Sequence, residues 1–224
     1  MRAKKAFQVA AIALFMMCFT AWAKPSPRQI ESTVPHWADL PADTSAKLKA
    51  EGITAENYER LLQGEVVIER RPVPDGKSGV HVVTFGIIPG GVDKLWGVLE
   101  NCGKSPPIMP YLQSCRIVEP DYPIPPNSRW EQLKIDFHMA FFSIKTMLVN
   151  ENTVEAPNFL RWKQVRGDAK VNEGYYRIIS ITSGAQLIVY DALVDPGGLI
   201  PGFVKTWVVE NTLPDLITAL RDHV

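Results

Sequence analysis

The sequence lacks every common catalytic motif. It contains no HExxH, GxSxG, CxxC or GxGxxG pattern and no phosphate-binding P-loop. Its four histidines are dispersed along the chain, and its three cysteines do not form a metal-binding pattern. These absences argue against standard zinc, nucleotide and serine-hydrolase chemistry, so we expect neither a metal nor a cofactor.

The sequence also lacks an excess of charge of either sign. It has 24 basic and 24 acidic residues, and residues 1–23 contribute three basic and no acidic ones. Without that segment the balance is 21 basic to 24 acidic residues, a net charge of −3. Bulk electrostatics therefore do not draw the chain to nucleic acid or to anionic lipid headgroups, and we expect no nucleic-acid partner.

Long apolar runs are missing except at the N-terminus. Arg2, Lys4 and Lys5 precede an apolar run from Ala6 to Phe19, and Ala21-Trp22-Ala23 follows it. A basic start, a short apolar segment and an A-x-A site are typical of a secretory signal peptide. A membrane-spanning helix needs about 20 apolar residues, more than this run offers. We predict cleavage after Ala23, leaving a soluble periplasmic or secreted chain of 201 residues.

Cysteine is scarce, and export decides how it is interpreted. Cys102 and Cys115 are the two cysteines left after residues 1–23 are removed. An oxidising compartment permits them to pair, which favours a disulfide bond over the alternative of two separate buried thiols.

Apolar spacing and breaker residues predict an α+β protein. We interpret residues 24–43, which contain four prolines, as an extended linker. A helix over 44–62 with a break near Gly52 is followed by a hairpin of strands at 65–73 and 80–88. A second helix starts after Pro89-Gly90-Gly91 and carries Val92, Leu95, Trp96 and Leu99 on one face.

The second half of the sequence predicts a run of strands closed by a helix. Short polar breakers separate the strand candidates, as in an antiparallel meander: 116–119, 129–138, 142–152, 159–165, 175–182 and 186–194. Residues 201–224 form a final helix, which we expect Pro214 to kink or restart.

Two blocks of this sequence resemble one known family. The first is "IIPGGVDKLWGVLENCGKSPPIMPYLQSCRIVE", and the second is "GAQLIVYDALVDPGGLIPGFVKTWVVENTLPDLITALRDHV". In this order they resemble START-like, or SRPBCC, domains of the polyketide-cyclase and coenzyme-Q-binding-like branch. The likeness covers about residues 80–224, which we take as the START-like domain. Residues 24–79, with the linker, the N-terminal helix and the first strand, lie mostly outside it.

The resemblance implies a helix-grip fold. In that fold a curved antiparallel sheet wraps around a long C-terminal helix, with a ligand cavity between them. Relatives hold lipids, sterols, quinones or polyketides there. Function varies widely on this fold, so the step from fold to activity is an analogy.

Small-molecule pockets are mostly apolar and aromatic, which selects the candidate ligand-binding residues. They are Met109, Tyr111, Leu112, Trp130, Phe137, Met147, Trp162, Tyr176, Tyr190, Phe203, Val204, Trp207 and Val208. For any single one of them, plain core packing is the simpler explanation. Strand alternation places Trp130 and Phe137 on opposite faces, and the sequence does not decide which face meets the cavity. Three loops, at 90–91, 106–110 and 196–202, are candidate gates or ordinary turns.

These patterns favour an exported binding or transport protein for a hydrophobic small molecule over an enzyme. Transient membrane contact is compatible with that interpretation. The alternative is a cyclase/aromatase-like or hydrolytic enzyme that uses the same cavity. Asp136 and His138 alternate on one strand face and could act with Arg161, Tyr176 and Tyr190, although a solvated polar stripe explains them more simply. A third hypothesis is an interaction module whose core is filled by its own side chains.

Overall fold

The computed structural model describes Ile30 and residues 34–139, 142–198 and 202–224, except for the side chains of residues 138, 139, 142, 144 and 202–211. The predicted signal peptide, residues 1–23, lies outside these ranges. Within them, no helix combines the length and the apolarity needed to cross a membrane.

One eight-stranded sheet organises the chain. Its strands are β1 (Val67–Arg71), β2 (Val80–Pro89), β3 (Leu112–Val118), β4 (Ser128–Met139), β5 (Phe142–Glu155), β6 (Phe159–Gly167), β7 (Val171–Thr182) and β8 (Ala185–Asp195). The order is β1-β2-β8-β7-β6-β5-β4-β3, and every neighbouring pair is antiparallel. The predicted hairpin and meander are confirmed, with β3 and β7 starting about four residues earlier than expected.

In the described parts of the chain, four α-helices with defined bounds accompany the sheet. They are α1 (Ala42–Ala50), α2 (Ala55–Leu62), α3 (Val92–Leu99) and α4 (Gly202–His223). The predicted break near Gly52 separates α1 from α2, and Gly52 has a φ of +91°, which favours glycine. Helix α4 runs continuously through Pro214, so this proline does not restart the helix, and the kink expected as the alternative stays a prediction.

Helix α4 lies against the concave face of the sheet. Ile217 packs so closely on β2 that a Cβ at Gly86 would collide with its side chain. Further along the helix, Arg221 Nε donates to the Ile87 carbonyl (2.9 Å) and Nη1 to the Gly64 carbonyl (2.8 Å). Burial lowers the pKa of Arg221 to about 10. These hydrogen bonds fix the C-terminal end of α4 to β2 and to the segment that precedes β1.

The N-terminal segment forms a third layer on the opposite, convex face. Leu48, Tyr58 and Leu61 of α1 and α2 pack with Phe85 and Val189 in one fully buried cluster. Strands β2 and β8 are therefore covered on both faces, by α4 on one and by α1 and α2 on the other.

The interpretation of residues 24–43 as a linker is only partly right. Ile30 and Val34 belong to the convex-face core and are 2 % and 5 % exposed. A 3-10 turn at Trp37–Asp39 follows, and the Trp37 ring meets the Tyr58 ring edge to face at 5.5 Å. This segment extends the convex layer because its apolar side chains find partners on α2.

Candidate functional site

A cavity of about 300 Å³ lies between the concave face and α4. That volume is at the lower end of small-molecule pockets, which span ~300–1,000 Å³. Its walls come from the loop before β3, strands β3 to β8, and both α3 and α4. Strand alternation selects the lining on each strand, so every second residue of β4 contributes: Glu131, Leu133, Ile135 and Phe137.

Several predicted ligand-binding residues meet in this cavity. Those that line it are Met109, Tyr111, Leu112, Phe137, Trp162, Tyr176 and Tyr190. Phe203, Val204, Trp207 and Val208 fall where side chains are not described. Whether any of these residues touches a ligand stays a prediction.

Trp130 is a correction to the sequence analysis, because it lies on the convex face. It is 1 % exposed, covered by the β3–β4 connection, and its ring meets the Tyr122 ring edge to face at 5.1 Å. Its indole Nε1 donates to Glu151 Oε2 at 3.1 Å, and the Arg166 guanidinium lies 5.1 Å from its ring centre. An aromatic on a strand was taken as cavity lining, whereas a connecting loop buries this one on the other side.

Met147 is a second correction. It pairs across the strands with Lys134 on the convex face and is 40 % exposed. The strand pattern allowed either face, and the register places Leu148, its neighbour, in the cavity wall instead.

Three aromatic rings form the apolar floor of the cavity. Trp162 stacks on Tyr190 with ring centres 5.4 Å apart, and Tyr176 lies 5.2 Å from Trp162 and 5.0 Å from Tyr190. Burial raises the pKa of Tyr190 to about 12, with a further contribution from Asp191. The phenols of Tyr176 and Tyr190 are neutral near pH 7 and offer hydroxyl groups to the cavity. Gly174 makes room for this floor, since Trp162 lies directly across from it.

A polar end, formed by Glu131, Asn150, Asn152 and Asn172, interrupts the apolar wall. Glu131, Asn150 and Asn152 are 7 %, 4 % and 5 % exposed. Arg129 Nε donates to Glu131 Oε1 at 2.7 Å, and Asn172 Nδ2 donates to Asn150 Oδ1 at 3.0 Å. The Asn152 amide lies beside Glu131, while its own Oδ1 has no partner. Burial raises the pKa of Glu131, opposed by Arg129 and Asn152.

Sequence reasoning missed this polar end, although a signal was present. Asparagine is depleted in strands, yet Asn150 and Asn152 occupy alternate positions of β5 and so share one face. Of the residues weighed for catalysis, Tyr176 and Tyr190 line the cavity. The Asp136 carboxylate instead receives a hydrogen bond from Ser143 Oγ on the convex face, and Arg161 is exposed. The His138 side chain is outside the described residues.

The loop between α3 and β3 closes one end of the cavity. Met109 and Tyr111 line the cavity from this loop, and Ile108 anchors it in the core. Tyr111 has a φ of +63°, uncommon for a residue other than glycine. Its carbonyl accepts from the Asp136 backbone N–H at 2.9 Å, and its ring lies 4.5 Å from the Phe137 ring. Of the other predicted gates, Gly90 packs against Val224 outside the cavity, and residues 199–201 of the third are not described.

The structure joins Cys102 and Cys115 by a disulfide bond, with Cα atoms 5.3 Å apart. The bond ties the start of the loop to β3, an edge strand whose Cys115 lines the cavity. Among the described residues, Cys102, Cys115 and Glu131 are the grouping whose donor atoms approach closely enough for a metal. The disulfide uses both thiols, so this set does not provide thiolate ligands.

Reducing the disulfide should destabilise the protein. The bond joins residues 13 apart in sequence, and closing a loop of that length is worth about 3 kcal/mol in the chain-entropy model. We expect urea unfolding with a thiol reductant to show a loss of that size. A Cys102→Ala/Cys115→Ala variant should match the reduced protein and not respond to reductant. An unfolding free energy that the reductant leaves unchanged in the unsubstituted chain would contradict this expectation.

The fold and the cavity define the molecule as a helix-grip protein. A family model described as "Polyketide cyclase / dehydrase and lipid transport" matches residues 88–221, more than half of the chain. The chain belongs to this family, and the resemblance to START-like domains is confirmed. Helices α1 and α2 and strand β1 precede the matched region.

Solved structures share the fold at low sequence identity. A STAR-related lipid transfer protein from Xanthomonas axonopodis is 16 % identical, with a TM-score of 0.56, over 70 % of this chain and 92 % of its own. The human StarD13 lipid transfer and protein localization domain is 13 % identical, with a TM-score of 0.56, over 70 % and 83 %. The Zhui aromatase/cyclase from a Streptomyces species is 15 % identical, with a TM-score of 0.50, over 64 % and 92 %. A comparison with curated proteins gives no match.

Proposed function

We propose that this protein is an exported carrier that holds a hydrophobic small molecule in the cavity beneath α4. The observation that carries the proposal is a cavity lined mainly by apolar and aromatic side chains, with a few polar groups gathered at one end. This is the composition of ligand pockets rather than of a filled core. The STAR-related and StarD13 neighbours, named for lipid transfer, support the same class of ligand.

Desolvation would drive the binding. Each CH₂ group that leaves water gains about 0.8 kcal/mol. A ligand taken from a bilayer gains little net free energy, because it exchanges one apolar environment for another. The cavity would therefore select the ligand and carry it through water, without binding it much more strongly than the membrane does. Brief contact with a membrane fits this exchange.

Export rests on two supports. The N-terminal pattern over residues 1–23 is that of a secretory signal peptide. The Cys102–Cys115 bond agrees with it, because disulfides persist in oxidising compartments such as the periplasm.

A second candidate function is a cyclase- or hydrolase-like enzyme in the same cavity. Glu131 favours it, because a buried carboxyl group with a raised pKa can act as a general acid or base. Tyr176 and Tyr190 add neutral hydroxyl groups. The Zhui aromatase/cyclase neighbour shares the fold but, at 15 % identity, supports no assignment of residues.

Native mass spectrometry of the protein purified from the periplasm tests the proposal. We expect one apolar molecule per chain, which solvent extraction then identifies. Incubation with that molecule should return it unchanged, whereas an enzyme would return a product. A chain that purifies empty and takes up nothing from added lipid vesicles would count against a carrier.

A further inference from the structure

The polar end of the cavity contains a buried hydrogen-bond acceptor that has no partner. Asn172 Nδ2 donates to Asn150 Oδ1, and the Asn152 amide lies beside Glu131 and favours its ionised form. Asn152 Oδ1 is buried without any partner. Because a buried polar atom without a hydrogen bond is costly, such an atom in a binding cavity marks a place that a ligand group can fill.

The orientation of the Asn152 amide is fixed by its neighbour. Exchanging its nitrogen and oxygen would bring a carbonyl oxygen against the Glu131 carboxylate, and two acceptors would then face each other. The nitrogen therefore points to Glu131, and the oxygen is the atom left unpaired. The unpaired oxygen at this end of the cavity therefore needs a ligand group that donates a hydrogen bond.

The charges around the polar end disfavour an anionic ligand. The Glu131 carboxylate lies in the cavity wall. Arg129, the cation beside it, is engaged: Nε bonds Glu131, Nη2 donates to the Glu100 carbonyl, and Nη1 lies 3.8 Å from Glu100 Oε1. Arg129 is also absent from the cavity lining. A carboxylate or phosphate placed here would meet acceptors and a like charge in a desolvated site.

We propose that the ligand is a neutral amphiphile whose hydroxyl group donates a hydrogen bond to Asn152 Oδ1 while its apolar body lies against Leu133, Leu148 and Trp162. This inference rests on the proposed carrier function and narrows its ligand class. Fatty acids and phospholipids are excluded by it, and alcohols and phenols with an apolar body are selected.

Three probes that share a ten-carbon chain test the inference: 1-decanol, decyl methyl ether and decanoate. Their dissociation constants are measured by isothermal titration calorimetry at pH 7 on the delipidated, disulfide-bonded protein. We expect 1-decanol to bind about tenfold more tightly than the ether, which lacks the O–H donor, and at least about tenfold more tightly than decanoate. Asn152→Leu, close in size but without the acceptor, should bring the alcohol and the ether to about the same affinity.

Thr153→Val is the matched control. Thr153 neighbours Asn152 on β5, faces the other way and bonds Ser128 Oγ at 3.0 Å, so its loss should not change the alcohol-to-ether ratio. Equal binding of alcohol and ether by the unsubstituted protein, or decanoate as the tightest ligand, overturns the hydroxyl inference and leaves the carrier function standing. Failure of all three probes to bind overturns both. The comparison in the unsubstituted protein holds even if Asn152→Leu does not fold.

Discussion

Replacing Leu133 with tryptophan should empty the cavity of ligand and leave the protein folded. Leu133 lines the cavity from the middle of β4, and its cross-strand partners Cys115 and Leu148 line it too. An indole at this position has space to enter only where a ligand would lie. We expect occupancy in native mass spectra to fall by at least about tenfold, equivalent to more than ~1.4 kcal/mol of binding free energy.

Lys134→Trp is the control for this substitution. Lys134 is the next residue of β4, is exposed and faces the convex side, so the same indole adds no bulk to the cavity. Its ligand occupancy should equal that of the unsubstituted protein. Full occupancy in Leu133→Trp, with an unchanged melting temperature in both variants, would show that the bound molecule lies elsewhere.

Replacing Gly174 with alanine should produce a large loss of stability. A Cβ at this position would collide with the backbone oxygen of Asp191 on β8 and lie 2.5 Å from Trp162 Cζ2. Neither neighbour yields easily, because one is the backbone of a central strand and the other is stacked on Tyr190. Overpacking that shifts backbone costs about 3 kcal/mol, which for a chain of this size lowers the melting temperature by roughly 10 °C.

Gly97→Ala provides the matched comparison by calorimetry. Gly97 lies in α3, where an added Cβ would meet no atom within 4 Å. Alanine there should stabilise the protein by about 0.5–1 kcal/mol, since it forms helix more readily than glycine. If both substitutions had the same small effect, the close packing of Trp162 over Gly174 would be wrong.

The sequence predicted the sheet and its closing helix because both depend on short-range patterns. Alternation marks strands, breakers mark turns, and the two family-like blocks give their order. Alternation alone could not say which face of β4 meets the cavity. Trp130 and Phe137 are both apolar, aromatic and buried, and only the loop that carries Tyr122 distinguishes their surroundings.

Contacts between distant segments explain what else the sequence did not predict. Ile30 and Val34 looked like parts of a proline-containing linker, yet they complete a core whose other members include residues of α1, α2, β2, β7 and β8. The polar end combines Glu131 from β4, Asn150 and Asn152 from β5 and Asn172 from β7. These groups of residues come together only when the strands pair in register, so no local sequence pattern predicts them.

The sheet is covered unevenly, which divides it into an anchor (β2 and β8) and an adaptable half (β4 and β5). Strands β2 and β8 are enclosed between α4 and the N-terminal helices, whereas Lys134 of β4 and Lys145 of β5 face water on the convex side. Local opening takes less free energy where fewer apolar contacts must break, so amide hydrogens of β4 and β5 should exchange before those of β2 and β8. The polar end lies mainly on the adaptable half. The width of the cavity can therefore change at β4 and β5 when a ligand binds, while β2 and β8 maintain the fold.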